Sequence, residues 1–87
     1  MIQSEITMRT KKVVRNWAKI PNNMALVVDD KLSSLRQNAL DELLQAINEE
    51  FVGENNFPIS QSDWGKADTT TVRDVRDLVD SRINKEV

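Results

Sequence analysis

Few residues in this chain could do chemistry. Carboxylates cluster at Asp29-Asp30, Asp41-Glu42 and Glu49-Glu50, and such clusters can in principle supply acid–base pairs. There is no histidine, which removes the commonest general base and the commonest zinc ligand. There is no cysteine either, so neither a disulfide framework nor a thiolate metal site is open to it. Without a histidine or a metal-ligand set, the pattern does not read as an enzyme. Lys11, Arg15 and Lys19 stand four residues apart, yet three cations on a chain of net charge −2 are a thin nucleic-acid footprint. Trp17 and Trp64 read as core and lid residues rather than as a base-stacking platform. Thr69, Thr70 and Thr71 read as a loop followed by a helix cap.

Charge is unevenly spread. Residues 1–22 hold five bases (Arg9, Lys11, Lys12, Arg15, Lys19) and one acid, Glu5. Residues 23–56 hold seven acids against two bases, and residues 57–87 hold six against five. The middle of the chain is the acidic part, so an electrostatic partner is expected to be basic. No apolar run is long enough to span a bilayer. Met1-Ile2-Gln3-Ser4-Glu5 lacks the basic segment and apolar block of a signal peptide, so a cytoplasmic protein without membrane contact is expected.

The elements follow from periodicity. At 87 residues the chain makes one domain, 1–87. Ile6, Val13, Val14 and Trp17, with Thr10 on the same face, predict an amphipathic helix from about Thr7 to Lys19, ended by Pro21 and Asn22-Asn23. A long loop from Pro21 to about Gln37 follows, pinned by Met24, Leu26, Val28, Leu32 and Leu35. A strand at Ala25–Val28 is the competing local reading, set aside because no second strand is in view. Asn38 is a good N-cap, with Asp41 three residues on, for a helix from about Ala39 to Phe51. Leu40, Leu43, Leu44, Ile47 and Phe51 form its apolar face, and Gly53 suits the residue past its end. Ser60 could cap a single turn from Gln61 to Trp64 that Gly65 ends. Thr71 with Asp74 makes a capping box for a last helix whose stripe is Val72, Val75, Leu78, Val79 and Ile83. Arg82 and Lys85 suit the dipole at its end. Helices of this length are marginal alone, so the expected fold is all-α: a three- to four-helix bundle with a long loop between the first and second main helices.

Four segments in order carry a resemblance. Lys11-Lys12-Val13-Val14 resembles the basic-basic-aliphatic-aliphatic run of the first helix of acyl carrier proteins. Asp30-Lys31-Leu32-Ser33-Ser34-Leu35 resembles that family's Asp-x-Leu-x-x-Leu approach to its attachment site. Glu42 through Phe51 resembles the acidic second helix, which commonly ends Glu-Glu-Phe. Pro58-Ile59 through Thr71-Val72-Arg73-Asp74-Val75 resembles the connection ending in Thr-Val-x-Asp-Val and a final helix. The resemblance spans nearly the whole chain and implies the acyl or peptidyl carrier fold.

It departs at one place. The family carries 4'-phosphopantetheine on a serine preceded by aspartate; here the matching triplet is Asn38-Ala39-Leu40. The acceptor must be an exposed hydroxyl at a helix start, where unpaired N–H groups and positive potential receive the phosphate. Asn38 keeps the size of the aspartate and loses its charge; Ala39 has no oxygen to modify. Read backward from Phe51 instead, the alignment sets Gln37 on the serine, and neither reading finds a hydroxyl. Three readings of position 39 stay open. The serine was lost naturally, it was replaced by design, or Ser34 serves as acceptor, since Ser33-Ser34-Leu35-Arg36 resembles Asp-Ser-Leu-Arg of peptidyl carriers. On the last reading the helix would begin about one turn earlier, with Leu35 and Ala39 continuing the stripe of Leu43 and Ile47.

The resemblance implies a monomeric, non-catalytic carrier. It would present a thioester-linked acyl or aminoacyl group, as in fatty acid, polyketide or nonribosomal peptide synthesis. Its partners would be a phosphopantetheinyl transferase and the basic surfaces of acyl-transferring or ligase enzymes, docked on Asp41, Glu42 and Glu49. A native serine form would hold 4'-phosphopantetheine; the chain as written holds none. The alternative is an interaction or regulatory protein that kept the fold and lost the arm.

Overall fold

The computed structural model describes residues 1–36, 39–66 and 71–84. Gln37, Asn38, Thr69, Thr70 and Lys85, on which expectations from the sequence fall, lie outside the described residues. Among the described residues five helices follow in order: α1 (Gln3–Ala18), α2 (Leu32–Leu35), α3 (Leu40–Glu50), α4 (Gln61–Lys66) and α5 (Val72–Ile83). The fold is the expected small all-α bundle.

The α1 helix begins earlier than its stripe suggested, because Ile6 already donates to the Ile2 carbonyl at 3.1 Å and Glu5 suits the first turn. It buries Ile6, Thr10, Val13, Val14 and Trp17. It ends two residues before Pro21, on Lys19 in the left-handed region (φ 58°). The Lys19 and Ile20 amides donate to Asn16 and Arg15 carbonyls, the paired bonds of a Schellman ending. The Arg15 guanidinium folds over this end onto the carbonyls of Pro21 and Met24 at 2.7 and 2.8 Å. It is therefore committed to the loop rather than to the exposed basic stripe drawn from sequence.

The core forms where α1 meets α3 and α5. Leu43, Leu44, Ile47 and Phe51 come from the α3 side; Val72, Val75, Val79 and Ile83 come from α5. Each such side chain contributes about 1.5–3 kcal/mol on burial. The radius of gyration is 12.1 Å, which matches the ~12 Å of a folded chain this long. Leu40 is a correction: it is 41% exposed, because it heads α3 and no preceding turn of its own helix covers it.

The connection between α1 and α3 is more ordered than a plain loop. Leu26 and Leu32 are buried and Leu35 is half-buried, as expected, whereas Met24 is exposed and pins nothing. Residues Leu32–Leu35 close a single helical turn that the sequence reading did not foresee. Among the described residues there is no strand; Ala25–Val28 is irregular, and only an isolated bridge joins Lys31 and Thr71. The carbonyls of Asp30 and Val28 instead accept the amides of Val72 and Arg73 at 3.1 and 2.8 Å. Two of the four orphan donors at the start of α5 are thereby satisfied by the loop. The Asp74 amide reaches the Thr71 hydroxyl, and the Thr71 amide reaches the Asp74 carboxylate, completing the foreseen capping box. One device thus starts a helix and anchors the loop.

The link from α3 to α4 turns on Gly53 (φ 86°), as expected. Asn48 mimics a backbone pair: its side chain accepts from the Ile59 amide at 2.8 Å and donates to the Ile59 carbonyl at 3.0 Å. The α4 helix runs past Gly65 to Lys66, longer than the single turn predicted.

Candidate functional site

Ala39 is the residue on which the attachment-site reading rests. It is half-buried and occupies the N-cap position of α3, one residue later than the Asn38 cap expected from sequence. Its backbone is left-handed, φ 69° and ψ 35°, and no side chain caps the helix. Its carbonyl accepts from the amides of Glu42 and Leu43 at 3.0 and 3.3 Å. It also accepts the indole N–H of Trp17 at 2.9 Å. The head of α3 is thus held from the end of α1 by a buried aromatic side chain.

Arg36 adds a second hold. Its guanidinium donates to the Trp17 carbonyl at 2.9 Å, stacks over the Trp17 ring at 5.5 Å and pairs with Glu42 at 2.9 Å. At the opposite end of α3, Lys12 pairs with Glu50 at 2.9 Å and Arg9 with Glu50 at 3.4 Å. Arg9 also donates to the Glu50 carbonyl and lies 4.7 Å from the Phe51 ring centre. The Glu50 carboxyl is held below the usual carboxylate range, chiefly by the Lys12 hydrogen bond, with the charges of Lys12 and Arg9 adding to it against desolvation. These contacts make α1 and α3 antiparallel: Trp17 meets the start of α3, and Arg9 meets its end.

The predicted acidic face divides accordingly. Asp41 and Glu49 are exposed and have no ion pair among the described residues. Glu42 is exposed but engaged by Arg36, and Glu50 is turned inward onto α1. Glu50 lies seven residues after the buried Leu43, on the core side of the helix, where Lys12 and Arg9 of α1 reach it. Asp41 and Glu49 rim a depression of about 360 Å³ that Leu44, Gln45, Asn48, Val52 and Gln61 complete. Val52 is 77% exposed there, an apolar anchor beside two carboxylates. Sequence reasoning missed Val52, whose position just beyond α3 hid its place beside the helix.

Ser34 is exposed but lies on α2, which Arg36 separates from α3 in an extended conformation (φ −158°, ψ 127°). The continuous helix from Ser34 that would place its hydroxyl at the head of α3 is not formed. Among the described residues no group of three or more acidic side chains is placed to hold a metal ion, and no helix is long and apolar enough to cross a membrane. Comparison with protein-family models, curated proteins and solved structures finds no match to this chain.

Proposed function

We propose that this chain is a non-catalytic docking scaffold of the carrier-protein type, with α3 as its working element. In a form with serine at position 39, that residue would carry 4'-phosphopantetheine and its acyl or aminoacyl cargo. The basic surface of a transferase or acyl-transferring enzyme would dock on Asp41, Glu42 and Glu49. The observation that carries the reading is the placement of Ala39. It heads α3, held by Trp17, within one turn of the exposed carboxylates of Asp41 and Glu42. A group attached there would stand beside the surface a partner reads, and α3 would supply orientation while the cargo supplied chemistry. Exposed carboxylates around Val52 suit a cationic partner with one apolar anchor, and such contacts steer association and weaken with salt.

The experiment is mass measurement of the intact chain after incubation with coenzyme A and a broad-specificity phosphopantetheinyl transferase. The expected outcome is no gain on this chain and gain of one arm on Ala39→Ser. Gain on this chain that Ser34→Ala abolishes would move the acceptor to Ser34. No gain on either form supports the second reading, an unmodified interaction protein that uses the same α3 surface. The absence of a hydroxyl at position 39 favours that second reading for the chain as written.

A further inference from the structure

A groove of about 520 Å³ runs along the seam of α1 and α3, on the other side of Glu49 from the depression at Val52. Its walls have a matched pattern. On the α1 side stand Lys12, Asn16 and Lys19; on the α3 side stand Glu42, Ala46 and Glu49. Glu42, Ala46 and Glu49 are spaced i, i+4, i+7 on one face of α3, and Lys12 and Asn16 are spaced i, i+4 on α1, with Lys19 just past its end. Because the two helices are antiparallel, Lys19 stands at the end where Glu42 lies, and Lys12 at the end where Glu49 lies. Arg36 and Glu50 also line it and pair with Glu42 and Lys12, so the unpaired charges are Lys19 on one wall and Glu49 on the other, over an apolar floor to which Val13 and Trp17 contribute.

We infer that this groove receives an amphipathic helix from a partner protein, one with acids along one edge and bases along the other. A helix laid in the seam presents its apolar stripe to Val13, Trp17 and Ala46. Its acidic edge then faces Lys19, and its basic edge faces Glu49. The groove length from Glu42 to Glu49 is about 10 Å, so about two turns of partner helix fill it. The opposed walls also set direction: turning the helix end for end exchanges its edges, so a given edge pattern docks one way only. Helices with one sign on both edges meet a like-charged wall in either direction. Lys19 and Glu49 are exposed and without an ion pair among the described residues, so they are available without breaking an internal bridge. This surface shares Glu42 and Glu49 with the proposed docking face, and it needs no prosthetic group.

The probe is a labelled, end-capped amphipathic peptide of about 14 residues with a Leu stripe, Glu on one edge and Lys on the other. Two companions carry Glu on both edges or Lys on both edges. Fluorescence anisotropy against the intact chain reads affinity. The mixed peptide is expected to bind about tenfold or more tightly than either companion. Lys19→Glu and Glu49→Lys, each shown folded by circular dichroism, should each weaken it by about threefold or more. Equal affinity for all three peptides, or no effect of the two reversals, overturns the inference. Tight binding of the Lys-edged peptide that Glu49→Lys removes and Lys19→Glu leaves untouched also overturns it, and assigns binding to the acidic face instead. Competition of the mixed peptide with self-association of the chain would give the groove to a second copy and overturn it as well.

Discussion

The indole N–H of Trp17 donates to the carbonyl of Ala39 at 2.9 Å, across 22 residues of sequence. The bond fixes where α3 begins relative to where α1 ends, and Arg36 spans the same two points. Trp17→Phe keeps the ring and removes the donor. The Ala39 carbonyl still accepts from Glu42 and Leu43, so it is not orphaned. A loss of about 1 kcal/mol is expected in urea unfolding, against about 3–5 kcal/mol for Trp17→Ala, which also empties core volume. No loss in Trp17→Phe beside the full loss in Trp17→Ala would show that the ring alone holds the junction.

Ala39 holds a conformation that costs an L-residue about 1–2 kcal/mol. Ala39→Gly relieves it, though glycine returns some of the gain through its freer unfolded chain. A net stabilisation of about 0.5–1 kcal/mol is expected, with Ala39→Val destabilising because a β-branched side chain fits this region worst. Thermal unfolding of the three proteins checks the order Gly, Ala, Val.

The periodic parts of this fold were readable before any coordinates. Val72, Val75, Val79 and Ile83 repeat at helical spacing behind Thr71 and Asp74, and α5 forms from Val72 as read. What escaped were features set by contacts distant in sequence. Leu32–Leu35 is too short for a periodic signal, and its turn rests on packing of Leu32. The start of α3 was displaced by one residue because the Trp17 bond to Ala39 is invisible along the chain. The site divided the same way: helical spacing placed Asp41 and Glu49 on the exposed face, but Arg36 and Lys12 decide the settings of Glu42 and Glu50 from outside the helix.

The Thr71–Asp74 box supports both α5 and the loop carbonyls of Val28 and Asp30. Thr71→Ala removes the acceptor for the Asp74 amide and should cost about 1 kcal/mol, with Thr71→Ser recovering most of it. Hydrogen exchange of the Val72 and Arg73 amides should speed up in Thr71→Ala, since their loop acceptors are held by the same junction. Unchanged exchange would mean that the loop is anchored independently of the cap.

Glu50 joins α3 to α1 through Lys12 and Arg9, and its carboxyl titrates below the ordinary value when folded. A carboxyl depressed by folding adds stability that is fully present above its unfolded pKa and lost as pH falls through its folded one. The contribution is therefore intact at neutral pH and fades in acid, below about pH 4.5. Urea midpoints measured from neutral pH down to pH 3 should fall more steeply for this chain than for Glu50→Gln. Lys12→Met should flatten the same part of the profile. Parallel profiles for all three proteins would show that the bridge adds nothing.

Thr10 is fully buried on the core face of α1, and its hydroxyl has no hydrogen-bond partner among the described residues. A buried, unpaired hydroxyl costs about 1–3 kcal/mol relative to a paired one, whereas a methyl in its place has nothing to lose. Thr10→Val keeps the branched shape, so the neighbouring packing need not move. It should stabilise the fold by about 1 kcal/mol and raise the urea midpoint with no change in the slope. Thr10→Ala leaves space in the same position and should destabilise, which separates the effect of the hydroxyl from that of volume. If Thr10→Val destabilises instead, the hydroxyl is bonded in solution to an α1 carbonyl or a water, and α1 is held partly by that bond.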